Sequence, residues 1–261
     1  MGLSSNILWH QTDKKGLDAI LKSKSLLFSY SKEKILSKNT IAIPMISLCD
    51  LPFADLGEYL GKYGNFTIGF DRNWGMKQGF NPVWYCESDS EIAKQLAQQD
   101  FESHKALFSY IKPVEGQLTT HGITYRSYRF YDEHEVRLVP TEEMMKSAGL
   151  TWALSGNDYE QYKMERGNST TDLSIPFTIE DIKYLIVRDI RNVKHYREKL
   201  EGVPIFTQRQ VKQDFIGTNH SFGVRSFDTL FDSGEEFGQS FSTAGGEAVM
   251  GTFPKGEFIE S

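Results

Sequence analysis

YDEHEVRLV, residues 131–139, alternates polar and apolar side chains as a β-strand does. Side chains two apart on a strand share a face, so Glu133, Glu135 and Arg137 are predicted to point the same way. Two carboxylates and a guanidinium on one face are costly to bury without partners. The spacing alone is typical of an edge strand with a solvated charged face, on which Arg137 neutralises Glu135. A catalytic interpretation therefore depends on the rest of the chain.

The composition indicates a folded globular protein with one domain, or one domain and an appendage. Of the 261 residues, 39% are hydrophobic and 13% are aromatic, and no apolar run is long enough to span a bilayer. The formal charge of −6 argues against broad, nonspecific coating of nucleic acid, although a local basic groove is compatible with it.

The two cysteines, Cys49 and Cys86, lie in apolar segments without the spacing of a disulfide framework or of metal ligands. We expect buried thiols in a reducing compartment and no bound metal. The first residues lack the charged, apolar and small-residue regions of a secretory signal. From these features we expect a cytoplasmic protein without membrane association.

The order of the predicted elements favours an α+β fold, because strands and helices interleave without the strict alternation of a doubly wound sheet. Strands are predicted at residues 7–10, 26–28, 41–49, 66–70, 83–86, 125–139, 184–187 and 204–207. The longer helices are predicted at residues 15–23, 52–62, 90–110 and 191–200. Residues 155–172 are polar and poor in apolar side chains, which predicts a surface insertion.

The composition changes near residue 214, beyond which glycine, serine and threonine become frequent. We expect residues 1–215 to form the folded domain and residues 216–261 to form a poorly packed tail. The tail contains seven phenylalanines, which are not typical of an inert linker. They could dock on the domain itself or on a partner.

Three kinds of side chain in this sequence can together cleave the bond between nicotinamide and ribose. This cleavage passes through an oxocarbenium-like state, which a carboxylate stabilises while it binds the ribose hydroxyl. A histidine can hold the other ribose, and an aromatic ring can stack on nicotinamide. The sequence offers His10 at a strand end, Tyr59 and Tyr63, and either Glu133 or Glu135. The histidine could equally be a satisfied structural residue, and the tyrosines could be core-facing neighbours on one helix.

The chain resembles the AbiGi family, which is linked to abortive phage infection. The resemblance covers roughly residues 5–212 and rests on the stretches WHQTDKKGLDAILKSKSL, ISLCDLPFADLGEYLGKYGNFTIGF, NPVWY, FYDEHEVRLVP and IEDIKYLIV. That family is similar, more distantly, to ADP-ribosyltransferase-like proteins. This implies an ADP-ribosyltransferase-like split β-sheet core with flanking helices, NAD as the substrate, and a histidine–tyrosine–glutamate triad around it.

The first part of the triad can be carried over by position. His10, followed by Thr12 in an H-x-T pattern, matches the histidine that contacts NAD. Tyr63 is the first choice for the tyrosine that stacks on nicotinamide, and Tyr59 is the second. No clear Ser-Thr-Ser motif is present, and Ser47 is the nearest substitute.

The glutamates of the opening stretch resemble the E-x-E element of the same superfamily. By this resemblance, Glu135 would stabilise the oxocarbenium ion and Glu133 would orient or deprotonate the acceptor. The element is followed by Val136 and Arg137, where a tryptophan before the arginine is commoner. The match thus supports NAD chemistry with two departures from the pattern, this one and the missing Ser-Thr-Ser motif.

A separate segment, Tyr125, Arg126, Tyr128 and Arg129, interleaves aromatic and basic side chains. Such side chains can stack on bases and neutralise phosphates, so these four are candidates for binding the acceptor. On a regular strand Tyr125 and Arg129 share one face, and Arg126 and Tyr128 share the other. An ordinary edge strand explains the pattern equally well.

The leading hypothesis is an NAD-dependent ADP-ribosyltransferase, acting as a toxin or effector in antiphage defence, with a cognate antitoxin as partner. The acceptor would be RNA or DNA, or alternatively a protein. Members of the AbiGi family are described as antitoxins, which makes a noncatalytic antitoxin that binds a cognate toxin the second hypothesis. An NAD glycohydrolase is the third.

Overall fold

The structure, a computed structural model, describes residues 6–34, 40–120 and 122–212. The predicted tail at 216–261 and the domain boundary at residue 215 lie outside these described residues. Within the described ranges the chain combines helices with a mostly antiparallel sheet. The ADP-ribosyltransferase-like split-sheet core stays a prediction.

Thirteen strands make up the β-structure of the described ranges, and nine of them form one sheet. The strands are β1 Ile7–Thr12, β2 Ser25–Lys34, β3 Thr40–Cys49, β4 Phe66–Asp71, β5 Asn81–Pro82, β6 Trp84–Cys86, β7 Ile111–Pro113, β8 Glu115–Thr120, β9 Ile123–Arg129, β10 Glu135–Leu138, β11 Thr170–Pro176, β12 Ile182–Val187 and β13 Ile205–Thr207. The nine-stranded sheet has the order β11-β2-β3-β1-β4-β12-β13, with β10 and β5 joined to it through β3. Its pairings are antiparallel except that of β12 with β13. The parallel pair β6–β7 and the antiparallel β8–β9 hairpin lie apart from it.

Strand β3 positions the later site because it pairs with three other strands. Residues 40–45 pair with β2, residues 46–49 pair with β10, and Cys49 also pairs with Trp9 of β1. The β-branched and apolar residues of β3 suit a strand that is covered on both faces. Segments that are distant in sequence therefore meet along this one strand.

The helices of the described residues are short. They are α1 Lys14–Ser23, α2 Leu56–Tyr59, α3 Arg72–Gln78, α4 Glu91–Leu96, α5 Phe101–Phe108, α6 Glu142–Ser147, α7 Gly156–Arg166 and α8 Ile190–Arg197. Most begin at a side chain that accepts a hydrogen bond from the first turn, as Asp13 does for α1. Lys24 ends α1 in the left-handed conformation, with a φ of 51°.

The alternation of β1 feeds two different hydrophobic clusters. Leu8 packs in the main core, which includes Leu17 of α1 and Tyr196 of α8. Trp9 belongs to a second cluster with Leu56 of α2 and other side chains. Each large apolar side chain that is fully buried stabilises the fold by about 1.5–3 kcal/mol. The sheet is therefore held by apolar contacts on both of its faces.

Three of the predicted elements differ from the structure. The single helix predicted at residues 90–110 is wrong, because Asp100 caps a second helix, α5, after a break. The surface insertion predicted at residues 155–172 is mostly exposed, as expected, but it has regular structure, since Ser155 caps α7 and β11 then pairs with β2. The short strand at residues 26–28 is part of a ten-residue strand, because β2 pairs with both β3 and β11.

The regular strand predicted for residues 131–139 is wrong in its first half. Residues Phe130–Glu133 form a 3-10 helix, and His134 adopts a left-handed conformation with φ 45° and ψ 48°. The strand itself covers only Glu135–Leu138. The carbonyl of His134 accepts a hydrogen bond of 2.9 Å from the backbone of Asp50, which fixes the turn to the end of β3. The two glutamates thus belong to different elements.

Candidate functional site

Five charged side chains form a buried ion network: Glu33, Lys112, Glu133, Glu135 and Arg137. Arg137 Nε lies 2.6 Å from Glu135 Oε1, and Arg137 Nη2 lies 2.8 Å from Glu33 Oε1. The solvated charged face suggested by the spacing is wrong, because Glu133, Glu135 and Arg137 expose only 2%, 6% and 0% of their surface. Burial of these charges is compatible with folding because each has an opposite partner.

Lys112 joins the two glutamates of the network. Its Nζ lies 2.7 Å from Glu133 Oε2 and 2.6 Å from Glu135 Oε2. The same ammonium group lies 4.7 Å from the ring centroid of Phe130, a favourable distance for a cation over an aromatic face. Lys112 is 8% exposed, so these contacts are made largely out of solvent.

Burial and the neighbouring charges act against each other on the pKa values of the network. Burial alone would raise the pKa of Glu135, but Arg137 and Lys112 lower it well below its ordinary value. Burial raises the pKa of Glu33, and the attraction of Arg137 offsets this only in part. Burial alone would lower the pKa of Lys112, but Glu135 and Glu133 raise it. At neutral pH, Glu135 is therefore a carboxylate and Lys112 an ammonium.

Tyr63 contacts the ion network through its hydroxyl group, which donates a hydrogen bond to Glu133 Oε1. Burial, followed by the negative charge of Glu133, raises the pKa of Tyr63 far above its ordinary value. The phenol therefore stays protonated and remains a donor. Its ring centroid lies 5.9 Å from that of Tyr59. The two tyrosines do not share one helix as predicted, since α2 ends at Tyr59.

The turn that carries Tyr63 is held by Gln11 of β1. The Gln11 side-chain amide donates to the carbonyl of Tyr59 at 3.0 Å and accepts from the backbone N–H of Tyr63 at 3.2 Å. After Tyr63, the backbone of Gly64 approaches Thr12 so closely that a Cβ would lie 2.1 Å from the Thr12 carbonyl oxygen. Gly64 has a φ of 155°, so both space and conformation call for glycine there.

His10 is neutral and has a defined hydrogen bond. Its Nδ1 lies 3.2 Å from the carbonyl oxygen of Ser47. A carbonyl only accepts, so Nδ1 carries the proton in this bond and Nε2 is left as an acceptor. Burial lowers the pKa of His10, and the bond to Ser47 offsets this only in part. His10 therefore presents a neutral imidazole at neutral pH.

A cavity of about 860 Å³ brings the predicted site residues together. This volume is within the range of about 300–1,000 Å³ typical of small-molecule sites. Six of the seven residues predicted to act in catalysis or to bind NAD line it: His10, Ser47, Tyr59, Tyr63, Glu133 and Glu135. Thr12 is not among the lining residues, because it lies at the end of β1 against Gly64.

The sequence interpretation missed Glu33, Lys112 and Gln11, all of which line the cavity. Lys112 had a weak signal, since it is a single charge between Ile111 and a proline. Glu33 had none, because it sits in a run of alternating charges that is typical of a solvated strand. Gln11 is the middle residue of the H-x-T pattern, which assigns it no role.

The four residues proposed to bind the acceptor lie on β9, in the β8–β9 hairpin. Tyr125, Arg126 and Arg129 are exposed, whereas Tyr128 is buried and accepts a hydrogen bond of 3.2 Å from Lys62 Nζ. None of the four lines the cavity; the facing strand β8 does so instead.

The faces predicted for β9 are partly wrong. A register shift lies between the pairs of Tyr128 with Gly116 and of Tyr125 with Leu118. The extra residue puts Tyr125 beside Tyr128, with ring centroids 6.0 Å apart. The two tyrosines therefore contact each other instead of pointing to opposite faces.

The described residues contain neither a side-chain cluster typical of a metal site nor a helix typical of a membrane span. In the ranges that the structure covers, no group of three or more His, Cys, Asp or Glu side chains is placed to hold a metal ion. Among the helices of these same ranges, none is long and apolar enough to cross a membrane.

Fold and site together define an α+β protein in which a cavity at the central sheet is lined by a buried ion network. Comparison with known proteins assigns the family. The model of the family described as "Putative abortive phage resistance protein AbiGi, antitoxin" matches residues 15–188, more than half of the chain. The chain belongs to this AbiGi family. The match includes every member of the ion network, and His10 lies just before it.

One curated relative is the "Abortive phage resistance protein AbiGi" of Lactococcus lactis subsp. cremoris. It is 26% identical to this chain over 190 residues, which are 60% of this chain and 75% of the relative. No solved structure matches the chain.

Proposed function

We propose that this chain is an NAD-dependent ADP-ribosyltransferase that acts in antiphage defence. The observation that carries the proposal is the cavity itself, to which His10, Tyr63 and the pair Glu133 and Glu135 converge from three separate segments. Membership of a family of abortive phage resistance proteins supports the defence role. An ADP-ribosyltransferase-like fold and a cytoplasmic location, where NAD is available, are parts of the same proposal.

The proposed reaction replaces one bond at the ribose of NAD with another. The bond between nicotinamide N1 and ribose C1′ breaks, and its electron pair leaves with nicotinamide, whose ring becomes neutral. An oxygen or nitrogen of the acceptor then bonds to C1′ and loses its proton to a base. The transition state carries positive charge on the ribose, which calls for a fixed carboxylate close to it.

The ionised state of Glu135 suits it to stabilise that charge. Glu133 would orient or deprotonate the acceptor, and Tyr63 would stack on nicotinamide. The neutral imidazole of His10 has Nε2 available to accept a hydrogen bond from a ribose hydroxyl. Ser47 and Tyr59 complete the proposed NAD contacts from the cavity wall.

The exposed side chains of the β8–β9 hairpin support a role for it in binding the acceptor. Tyr125 is 39% exposed, and Arg126 and Arg129 are exposed beside it. Exposed aromatic and guanidinium groups suit the bases and phosphates of RNA or DNA. A protein acceptor is the alternative, and fractionating the labelled products distinguishes the two.

Purified protein incubated with labelled NAD and cell lysate tests the proposal. We expect label to transfer to a macromolecule and Glu135→Gln to reduce the rate by about 100-fold or more. Glu91→Gln is the matched control, because Glu91 lies on α4 with a side chain that is 72% exposed and is not among the residues that line the cavity. Transfer by Glu135→Gln at the wild-type rate would overturn the proposal. RNase, DNase and protease treatment of the product identifies the acceptor.

A noncatalytic antitoxin is the second candidate, and a specific observation favours it. Each carboxylate oxygen of Glu133 and Glu135 already accepts a hydrogen bond from this protein. Such a network can be wholly structural, and the family description names an antitoxin with an implied toxin partner. Expression in cells separates the two candidates. An active transferase arrests growth and Glu135→Ala relieves the arrest, whereas an antitoxin is harmless alone.

An NAD glycohydrolase would use the same cavity with water as the acceptor. It would release free ADP-ribose from NAD without labelling a macromolecule. The product of the labelling experiment therefore separates this third candidate from a transferase.

A further inference from the structure

Lys112, on the cavity wall, forms ion pairs with both glutamates of the E-x-E element. It lies on β7, far from the other charged residues in sequence, and the resemblance to ADP-ribosyltransferases assigns it no role. Its neighbour Ile111 is buried in an apolar cluster. Because successive side chains of a strand alternate, Lys112 then points away from that cluster, towards the ion network.

We propose that Lys112 is a positioning residue, whose ammonium group holds the carboxylates of Glu133 and Glu135 together on the cavity wall. A contribution of Lys112 to catalysis rests on the proposed function, but the effect of its charge on the Glu135 carboxylate does not. The ammonium group is within 2.7 Å of both carboxylates and is covered by the Phe130 ring. The two carboxylates and the Phe130 ring thus hold the Lys112 ammonium group in place.

The β6–β7 pair holds Glu135 at two points. Tyr85 of β6 pairs with Lys112 of β7, and the Tyr85 hydroxyl oxygen accepts the backbone N–H of Glu135 at 2.8 Å. Lys112 binds the side chain of the same residue. A single small ladder therefore fixes both the main chain and the carboxylate of Glu135.

The charges around Glu135 explain why a cation is needed there. The groups that interact with it are Glu33 of β2, Cys49 of β3, Tyr59 and Tyr63 of the turn after α2, Tyr85 of β6, Lys112 of β7 and Arg137 of β10. Glu133 is joined to it through Lys112. Arg137 is shared between Glu135 and Glu33, and it makes no ion pair with Glu133. Without Lys112, two neighbouring carboxylates would face each other in a buried site, where like charges favour uptake of a proton.

The test follows the side-chain carboxyl of Glu135 by ¹³C NMR during a pH titration. Lys112→Met removes the charge at similar length, Lys112→Arg keeps it, and Glu135→Gln assigns the signal. We expect Lys112→Met to raise the titration midpoint of Glu135 by about one pH unit or more, and Lys112→Arg to restore it. Lys94→Met, at an exposed lysine of α4, is the control.

An unchanged midpoint in Lys112→Met overturns the proposal. If that variant does not fold, Lys112→Gln is titrated instead, since its amide can still donate to one carboxylate while lacking the charge. We expect Lys112→Gln to raise the titration midpoint of Glu135 by the same amount, and an unchanged midpoint in this variant would also overturn the proposal.

Calorimetric titration with NAD separates this proposal from the proposed function. If the wild type binds no NAD but the midpoint moves, the proposed function fails and the role of Lys112 stands. If NAD binds and the midpoint does not move, the role of Lys112 fails alone. Where NAD is cleaved, we expect Lys112→Met to lower kcat at neutral pH by about tenfold or more, with KM changed less, and Lys112→Arg to recover part of it.

Discussion

The segment from Glu133 to Arg137 and the β8–β9 hairpin both carry several charged residues, yet their surroundings are opposite. In the first, Arg137 is fully buried and bonds to two glutamates and to the carbonyl of Ser109. In the second, Arg129 is 64% exposed at its side chain, 3.5 Å from an equally exposed Asp132. The difference comes from the partners of the two arginines: Arg137 reaches Glu33 and Ser109 on distant segments, whereas Arg129 pairs with Asp132, three residues away. Burial of a charge is thus decided outside the segment that carries it.

The largest expected effect comes from removing the arginine of the buried region. Arg137→Met leaves Glu33 and Glu135 without their shared cation, and we expect it to lower the free energy of unfolding by about 3–5 kcal/mol. Arg129→Met on the exposed hairpin should change it by no more than about 0.5 kcal/mol. Urea denaturation of both variants measures the contrast. Equal effects would show that the buried network contributes no more than a surface pair.

The pH dependence of stability sharpens the same contrast. The folded pKa of Glu135 is below its ordinary value of 4.5, so its stabilising contribution is present above pH 4.5 and is lost as the pH falls towards the folded pKa. Glu33 has a raised pKa, so its contribution is present below pH 4.5 and is lost as the pH rises through the folded value.

We therefore expect the free energy of unfolding of the wild type to fall with pH below 4.5, and the slope to be smaller in Glu135→Gln. Denaturation curves at a series of pH values measure these slopes. Glu115→Gln, at the hairpin, should keep the wild-type slope. A slope in Glu135→Gln as steep as that of the wild type would contradict the ionised state assigned to Glu135.

A smaller effect is expected at the turn between the two glutamates. His134 is left-handed, a conformation that β-branched residues strongly disfavour. We expect His134→Val to lower the free energy of unfolding by about 1–2 kcal/mol, while His134→Asn stays close to the wild type. Chemical denaturation of the pair measures this difference. If valine is tolerated as well as asparagine, the left-handed turn is not required for the ion network.

The smallest expected effect is local to the turn that carries Tyr63. Gln11→Met removes both side-chain bonds to this turn, at about 0.5 kcal/mol each. We expect the backbone N–H of Tyr63 to exchange with solvent about five- to tenfold faster, as read by hydrogen exchange. Thr124→Val removes an exposed bond to Thr119 in the hairpin and serves as the comparison. Tyr63 should be unaffected by it.

Much of the central sheet could be predicted from sequence, because β1, β3 and β12 are rich in apolar and β-branched residues and are bounded by turn signals. Several residues of the cavity wall could also be predicted from sequence, since His10, Tyr63 and the two glutamates occur in the chain order of a known motif. Their mutual contacts could not be predicted. The left-handed His134 and the register shift in β9 break the period of two on which the face assignments depended.

The partners of the buried charges were the least predictable part. Lys112 and Glu33 reach Glu135 and Arg137 across 23 and 104 residues. No local sequence pattern identifies such pairs, because the partners come together only when the strands that carry them have assembled. The attraction that offsets the cost of burying these charges therefore depends on the tertiary structure. The sequence could therefore name the acidic element and its local counter-ion Arg137, but not the distant partners Lys112 and Glu33.

The three pairings of β3 also set the order in which the cavity can come into being during synthesis. The wall needs β1 and β2, which leave the ribosome early, and β10, which leaves it only after residue 138. Until β10 has been synthesised, Glu33 lacks its ion-pair partner Arg137, and the nascent chain contains only part of the cavity wall. A shortened product that ends before β10 would contain His10 and Tyr63 but would lack Glu135 and Arg137. The complete cavity therefore forms only after residues 135–138 of β10 have been synthesised.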